Sequence, residues 1–339
     1  MRALVYTGLR KLDLQDWPDP ELAAGEALVR VGGVGVCGSD VHGWMGHSRG
    51  RVPPLVLGHE MAGTVERVAG QATVKPGDVV AVYPLIGCNQ CAYCARGLDQ
   101  LCRRRRLLGM HIAGGFAEYL KAPVRNLYPI PERVGPTRGA LVEPLANALH
   151  FVRSADADRG PAAILGAGPI GLLMLEVAKQ LRFAPAPGIA VLEVNPHRAA
   201  LAKTHGADLT VNPKDPGALE QLDRFFGEDG CRTVFDAAGF AATRQTALRL
   251  VKSGGLVVLA GLGEGETTLD FIEVTRREVR LAGVYGYSRD EFAMAAQWMA
   301  DDRLDCTGWV TEAPLDQGQS VFESLARPDS TLMKVLLRP

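Results

Sequence analysis

The sequence has no long run of apolar residues. No stretch of about 18 apolar residues occurs, and the most apolar segment, residues 162–178, is interrupted by glycines, Pro169 and Glu176. The N-terminus carries charges throughout and does not resemble a secretory signal. These absences predict a soluble, cytoplasmic protein with no membrane partner.

The sequence also lacks an excess of charge of either sign. Its 37 Lys and Arg residues nearly balance its 38 Asp and Glu residues, so the formal net charge is −1. This balance gives no reason to expect nucleic acid or an acidic membrane surface as partner. We interpret the one basic run, residues 103–106, as a solvated loop, with a specific anion site as the alternative. A small molecule is therefore the expected partner.

Size and hydrophobic content predict two globular domains. The chain has 339 residues, of which 47% are hydrophobic and 22% are charged. One core rarely extends over so many residues, so two domains are expected. The sequence contains no internal repeat and no low-complexity segment.

The pattern of secondary structure changes near Pro161. Before it, short β-prone runs are separated by turn signals, which predicts a barrel-like or sandwich-like β domain. After it, strand-like and helix-like stretches alternate up to residue 284, which predicts a doubly wound parallel sheet. The tail is expected to hold one helix over residues 290–299 and a terminal strand over residues 332–337. The fold class is therefore α/β.

Four of the seven cysteines lie within 15 residues of one another. They are Cys88, Cys91, Cys94 and Cys102. Zinc prefers four tetrahedral sulfur ligands, and two-residue gaps let a turning backbone aim successive thiolates at one point. Because the protein would fill all four positions, we predict a structural zinc site. Disulfides and buried free thiols are the alternatives.

A glycine-rich turn joins the first strand and helix of the predicted parallel sheet. Its residues are Gly166, Gly168, Pro169, Ile170 and Gly171. Such a turn lets the backbone approach a pyrophosphate, which binds at the helix N-terminus. Glu193 follows the next strand, where a carboxylate binds ribose hydroxyls and repels a 2′-phosphate, which favours NAD over NADP. Arg198 lies near the expected adenosine ribose and weakens this preference slightly.

A second group of metal-binding residue types is spread over the first 145 residues. Cys37 and the pair His59–Glu60 each follow β-rich sequence, and a thiolate, an imidazole and a carboxylate can form a catalytic zinc site. Taken singly, each residue is more often a core or surface residue than a metal ligand. Glu143 lies in the otherwise apolar stretch 140–149, and a buried acid needs a partner such as a metal or its water.

These motifs together resemble the medium-chain zinc-dependent alcohol dehydrogenase family over almost the whole chain. The segment Cys37-Gly-Ser-Asp-Val-His-Gly-Trp44 and the sequence Glu143-Pro-Leu resemble its polyol branch, which includes sorbitol, threonine, butanediol and galactitol-phosphate dehydrogenases. The resemblance implies a GroES-like catalytic domain over residues 1–150 with the zinc loop 88–102. It also implies a Rossmann domain over residues 151–288 and a segment 289–339 that returns to the catalytic domain.

The resemblance also implies an activity and roles for individual residues. Cys37 and His59 would bind the catalytic zinc, and Glu60 would be a ligand or an exchanging neighbour. Glu143 would be a ligand or would hold the zinc-bound water. Ser39 would pass the proton of a secondary alcohol towards the cofactor ribose, and His42 would deliver it to solvent. Two zinc ions per chain, NAD and a homodimer or homotetramer are expected, with residues 253–263 as the suspected edge-strand interface.

Two features depart from animal sorbitol dehydrogenases. Those enzymes generally lack the complete four-cysteine loop, and they tend to carry an Arg-Tyr pair where this chain reads Tyr285-Gly286-Tyr287. Arg289 is close enough in sequence to be considered as a substitute. Trp44 and Tyr287 are considered as pocket walls, with core or surface aromatic residues as the alternative. The alternative functions are a zinc-free NADPH quinone or enone reductase of the same fold and a non-catalytic NAD-binding protein.

Overall fold

The computed structural model describes residues 1–48, 50–227 and 230–339. The chain forms two compact units. One comprises Met1–Ala146 together with Tyr287–Pro339, and the other comprises Asn147–Gly286. No helix in the described ranges is long and apolar enough to cross a membrane.

The N-terminal part of the first unit is rich in short strands. Its strands are β1 (Arg2–Gly8), β2 (Lys11–Asp16), β3 (Glu26–Gly35), β4 (Leu55–Val56), β5 (Glu60–Val68), β6 (Val79–Val82), β7 (Leu85–Ile86), β8 (Arg106–Leu107), β9 (Tyr119–Pro123) and β10 (Leu127–Pro129). Helices α1 (Gly38–Trp44) and α2 (Gly135–Gly139) accompany them, and α3 (Val142–Arg153) begins in the first unit and ends in the second. Alternating valines and leucines of these strands form one buried core, as their period of two predicts.

The second unit is a six-stranded parallel sheet with helices between the strands. The strands are β11 (Ala162–Leu165), β12 (Ile189–Leu192), β13 (Leu209–Val211), β14 (Cys231–Asp236), β15 (Val251–Leu259) and β16 (Arg280–Gly283). The helices are α4 (Pro169–Gln180), α5 (Pro196–Thr204), α6 (Ala218–Phe226), α7 (Ala241–Leu250) and α8 (Phe271–Arg276). The strand order is β13-β12-β11-β14-β15-β16. This order confirms the predicted doubly wound α/β fold.

One expectation about this sheet is wrong. Residues 253–263 were suspected as an edge-strand interface, but β15 lies between β14 and β16 and has no free edge. The strands at the ends of the sheet are β13 and β16. The strong apolar character of residues 256–259 reflects this central position, because central parallel strands are covered on both faces.

The C-terminal segment holds more structure than the sequence predicts. It forms α9 (Arg289–Ala300), β17 (Val310–Pro314), α10 (Gly318–Leu325) and β18 (Lys334–Arg338), whereas one helix and one strand were expected. Strand β17 has 5 residues, none of them buried, and α10 has only 8 residues, so each leaves only a short pattern in the sequence. Strand β18 pairs antiparallel with β3, with Leu336 opposite Gly35. The main sheet therefore reads β10-β6-β5-β3-β18-β17, with β9 also paired to β3.

Candidate metal and cofactor sites

Cys37, His59 and Glu60 lie together in the first unit. Cys37 follows β3 and precedes α1, and the other two residues stand at the start of β5. Strands β3 and β5 are antiparallel partners, with Gly35 opposite Glu60, so these ends of the two strands meet. Each of the three residues offers one ligand atom, and these three atoms all lie within 4.8 Å of one another. A thiolate, an imidazole and a carboxylate at this spacing fit a zinc ion.

The surroundings of His59 also fit a metal ligand. Its Nδ1 atom is buried, has no hydrogen-bond partner among the described residues, and lies 3.2 Å from Oδ1 of the fully buried Asp40. Burial lowers the pKa of His59, but the nearby Asp40 and Cys37 more than offset it and raise that pKa well above its usual range. A metal must displace this proton, because only a neutral imidazole can bind it.

Glu60 forms an ion pair that the sequence analysis missed. Lys334 Nζ lies 2.7 Å from both oxygens of Glu60 and donates to the carbonyl of Val36 at 3.1 Å. The pairing of β18 with β3 places Lys334 there, since it lies two residues before Leu336. Although burial lowers the pKa of Lys334, Glu60 and Cys37 raise it, so the amine stays charged. A lone lysine in the buried run 333–337 was the available signal.

Glu143 lies close to this group but is not part of it. It lies in the first turn of α3. Neither of its carboxylate oxygens belongs to the group of ligand atoms from Cys37, His59 and Glu60. Burial raises the pKa of Glu143 to about 7, with His59 opposing and Glu60 adding to that effect. The hydroxyl of Tyr287 donates to Glu143 Oε1 at 2.7 Å. This contact favours a role beside the metal over direct ligation.

The two aromatic residues considered as pocket walls are both core residues. Tyr287 is 1% exposed and Trp44 is 3% exposed. Trp44 packs edge to face against Phe322, with ring centroids 5.9 Å apart. Tyr287 packs against Tyr83 and Phe292 while its hydroxyl binds Glu143.

The two residues expected to move protons lie one turn apart on helix α1. The Ser39 hydroxyl donates to Cys37 Sγ at 3.4 Å and accepts from Arg51 Nη2 at 3.1 Å. His42 is half-buried, and burial together with the neighbouring His47 lowers its pKa. A neutral imidazole can accept a proton, so His42 suits its expected role. The sequence analysis missed Arg51.

The four cysteines of the loop 88–102 also come together. Their sulfur atoms all lie within 4.8 Å of one another. Arg104 donates to Cys88 Sγ at 3.2 Å, and hydrogen bonds, chiefly from the backbone of Gln90, lower the pKa of Cys88 to about 6. Four converging thiols with a stabilised thiolate fit a zinc ion bound by protein alone. Most of the basic run 103–106 is exposed, as expected of a solvated loop.

Arg289 does not replace a pocket arginine. Its guanidinium lies 2.7 Å from Asp99 Oδ2, in the cysteine loop, and 4.6 Å from the ring centroid of Tyr83. Asp99 is 1% exposed. Arg289 therefore fastens the cysteine loop to the C-terminal segment, a role that its position beside Tyr287 in the sequence could not reveal.

The glycine-rich turn of the second unit has the geometry of a phosphate-binding loop. Gly166 has φ +94°, a left-handed conformation that favours glycine, and Gly168 is the N-cap of α4, which begins at Pro169. A Cβ on Gly171 would collide with the carbonyl of Gly166. The N-terminal turn of α4, with Ile170, therefore lies directly against the preceding strand and offers its backbone N–H groups to an anion.

Glu193 lies beside this turn, and Arg198 lies in the first turn of α5. Glu193 is buried, and its two carboxylate oxygens accept from the backbone N–H groups of Ala167 at 2.7 Å and Asn195 at 2.8 Å. The backbone N–H of Arg198 donates to Asn195 Oδ1 at 3.2 Å, and its buried Nε has no hydrogen-bond partner among the described residues. The carboxylate of Glu193 therefore lies at the glycine-rich turn, and Arg198 follows it five positions later in the sequence.

Comparison with known proteins identifies the family of both parts of the chain. Residues 23–132 match the alcohol dehydrogenase GroES-like domain, and residues 169–301 match the zinc-binding dehydrogenase family. An L-threonine 3-dehydrogenase of Bacillus velezensis is 32% identical over 96% of this chain and 95% of its own length. A D-xylulose reductase A of Aspergillus oryzae is 31% identical over 91% of this chain and 88% of its own length.

A solved structure shares the whole architecture. A protein of Sinorhizobium meliloti 1021, bound to NADP in its crystal, superposes with a TM-score of 0.90 at 30% identity and covers 100% of this chain and 99% of its own. These similarities cover nearly all of the chain and not only its sequence motifs. The chain belongs to the medium-chain zinc-dependent alcohol dehydrogenase family, in its polyol dehydrogenase branch, and is an oxidoreductase.

Proposed function

We propose that the protein is a zinc-dependent, NAD(H)-using dehydrogenase that oxidises a secondary alcohol to a ketone. The substrate class is a polyol, a vicinal diol or a sugar-like alcohol, in keeping with the relatives of this branch. The observation that carries the proposal is the convergence of Cys37, His59 and Glu60 to within 4.8 Å, beside a hydroxyl and an imidazole suited to proton transfer. A zinc-free reductase of the same fold would not need these three residues.

Each candidate site residue of the first unit has its own role in the proposed reaction. Cys37, His59 and Glu60 would hold the zinc, which when bound supplies Lewis-acid chemistry that makes a hydroxyl group more acidic. Ser39 accepts the proton of the substrate hydroxyl and passes its own proton on, and His42 delivers that proton to solvent. Glu143, whose pKa is about 7, lies near enough to His59 and Glu60 for their charges to alter its pKa. Cys88, Cys91, Cys94 and Cys102 would hold a second, structural zinc.

The cofactor proposed for the second unit is NAD. Its pyrophosphate would bind at the turn over residues 166–171, and its nicotinamide would accept the hydride. Support comes from the carboxylate of Glu193, since a negative charge at this turn repels a 2′-phosphate. The unpartnered Nε of Arg198 and the NADP-bound relative favour NADP instead. The ratio of kcat/KM for NAD to that for NADP decides between them, and Glu193→Gln should lower it.

We also propose that the chain forms a homodimer or a homotetramer and that it works in the cytoplasm. Strand β16 has one free edge and is the segment we favour for self-association. A reducing compartment suits a chain whose seven cysteines are all free of disulfides, with four of them placed to bind metal.

NAD reduction measured against a panel of alcohols tests the proposed activity. The panel should contain polyols, vicinal diols, sugar acids and simple secondary alcohols, and each should be offered with NAD and with NADP. Turnover of at least one secondary alcohol supports the proposal. Absence of turnover across the panel, in both directions and with zinc-replete protein, would instead favour a non-catalytic NAD-binding protein.

A further inference from the structure

Arg51 is a buried cation for which the activity described so far gives no role. Its side chain is 4% exposed, and its Nη2 atom lies 2.9 Å from Oδ1 of Asp40 and 3.1 Å from Oγ of Ser39. Its Nε atom is buried and has no hydrogen-bond partner among the described residues. A buried unpaired donor costs free energy, so this arrangement is not the one that stability alone would favour.

Helix α1 is shaped to admit this side chain. Asp40 is fully buried and provides the opposite charge that holds the guanidinium in place. Gly43, one turn further along α1, leaves the space that the aliphatic part of Arg51 fills, since a Cβ on Gly43 would collide with Arg51 Cδ. The ion pair and the cleared space together fix the position of Nη2 against the Ser39 hydroxyl.

We propose that Arg51 is a positioning residue for proton transfer through Ser39. A serine hydroxyl has one proton and two lone pairs. Arg51 occupies one lone pair, so the second lone pair is left to accept the proton of the substrate hydroxyl. The Ser39 hydroxyl donates its own proton to Cys37 Sγ before the transfer. As the substrate O–H bond breaks and a new one forms at Ser39 Oγ, that original proton turns away from the sulfur and leaves towards His42. The guanidinium also stabilises negative charge on Oγ during the exchange.

This proposal rests on the proposed function, so turnover of the wild-type protein is measured first. Arg51→Met keeps the length of the side chain but removes the donor. Loss of a hydrogen bond from a charged group should lower kcat about 10- to 100-fold. The KM for NAD should stay within about twofold, and the solvent deuterium isotope effect on kcat should rise because proton transfer becomes slower. Arg51→Lys, which keeps the charge but not the planar guanidinium, should recover part of the loss.

A double-mutant cycle separates this role from a structural one. If Arg51 acts through the Ser39 hydroxyl, Arg51→Met should slow the Ser39→Ala protein little further, so the two effects are not additive. Gly43→Ala gives a second route to the same result. Alanine favours a helix over glycine by about 1 kcal/mol, yet its methyl group should push Arg51 away and reproduce the Arg51→Met defect. Arg2→Met, which removes an exposed pair with Asp16, is the matched control.

The visible spectrum of the cobalt-substituted protein provides a readout that does not depend on turnover. Arg51→Met should leave both the Co(II) spectrum and the metal content as in the wild type, because Cys37, His59 and Glu60 are unchanged. A shifted spectrum with loss of metal would mean that Arg51 supports His59 through Asp40, which overturns the proposal. An unchanged kcat, or additive effects with Ser39→Ala, would overturn it as well. Lack of wild-type turnover would refute the proposed function itself.

Discussion

Lys334 Nζ lies 2.7 Å from both carboxylate oxygens of Glu60, and the two side chains are 2% and 1% exposed. The pair balances the charge of one candidate zinc ligand with a residue near the other end of the chain. Glu60 therefore has a partner whether or not it binds metal, which is compatible with an exchanging ligand. A buried carboxylate without that partner would be costly.

Lys334→Met should destabilise the first unit by about 3–5 kcal/mol, because it leaves the charge of Glu60 buried and unpaired. Lys334→Arg should lose much less, since the charge remains. Urea unfolding measures both variants. The double variant Lys334→Met with Glu60→Gln should recover most of the stability, and a Lys334→Met protein as stable as the wild type would show that this ion pair does not form.

Glu143→Gln should keep the zinc that we propose for Cys37 and His59. No oxygen of Glu143 belongs to the group of ligand atoms within 4.8 Å, and an amide closely resembles the protonated acid that a pKa of about 7 makes common. Metal analysis of the purified variant checks this result. Loss of one zinc per chain would make Glu143 a direct ligand, which is the other role left open by the sequence.

His47→Gln should move the acid limb of the kcat profile to higher pH. The rings of His42 and His47 are 5.7 Å apart, and burial and the charge of His47 both lower the pKa of His42. Without the charge of His47, the pKa of His42 should rise. His42 would then be protonated, and unable to accept a proton, at a higher pH than in the wild type. If the acid limb of the kcat profile does not move, His42 does not take part in the rate-limiting proton transfer.

Asp158→Asn should weaken the second unit by about 1–3 kcal/mol at neutral pH. Asp158 is buried and binds Arg232 at 2.6 Å and Arg280. Burial raises its pKa, but the two guanidinium groups hold it below the usual 3.8. A lowered pKa means that the stabilisation is present above pH 3.8 and is lost as the pH falls through the folded-state value.

Urea unfolding at several pH values measures this effect. The difference between Asp158→Asn and wild type should shrink as the pH drops below about 4. Asp156→Asn is the matched control, because the pair of Asp156 with Arg159 is more than 40% exposed on both sides and should contribute under about 1 kcal/mol. Equal losses for the two variants would contradict the role given to Asp158.

Local patterns predicted much of the fold and of the candidate sites. Strands β11, β12, β14 and β15 contain buried apolar runs, and Gly166 has a positive φ that favours glycine. Pairing between distant segments leaves little local pattern. Lys334 was missed because its partner Glu60 lies 274 positions away and a lone lysine in an apolar run was its one local signal. Arg289, whose partner Asp99 lies 190 positions away, was considered for the wrong site for the same reason.

Zinc content and turnover of Cys37→Ser test the central claim most directly. The wild type should hold about two zinc ions per chain, and Cys37→Ser should hold about one, bind NAD normally and show no turnover. Cys306→Ser, which changes a cysteine outside both cysteine-containing groups, should keep both ions and full activity. A Cys37→Ser protein that still oxidises the alcohol at the wild-type rate would contradict a catalytic zinc at Cys37.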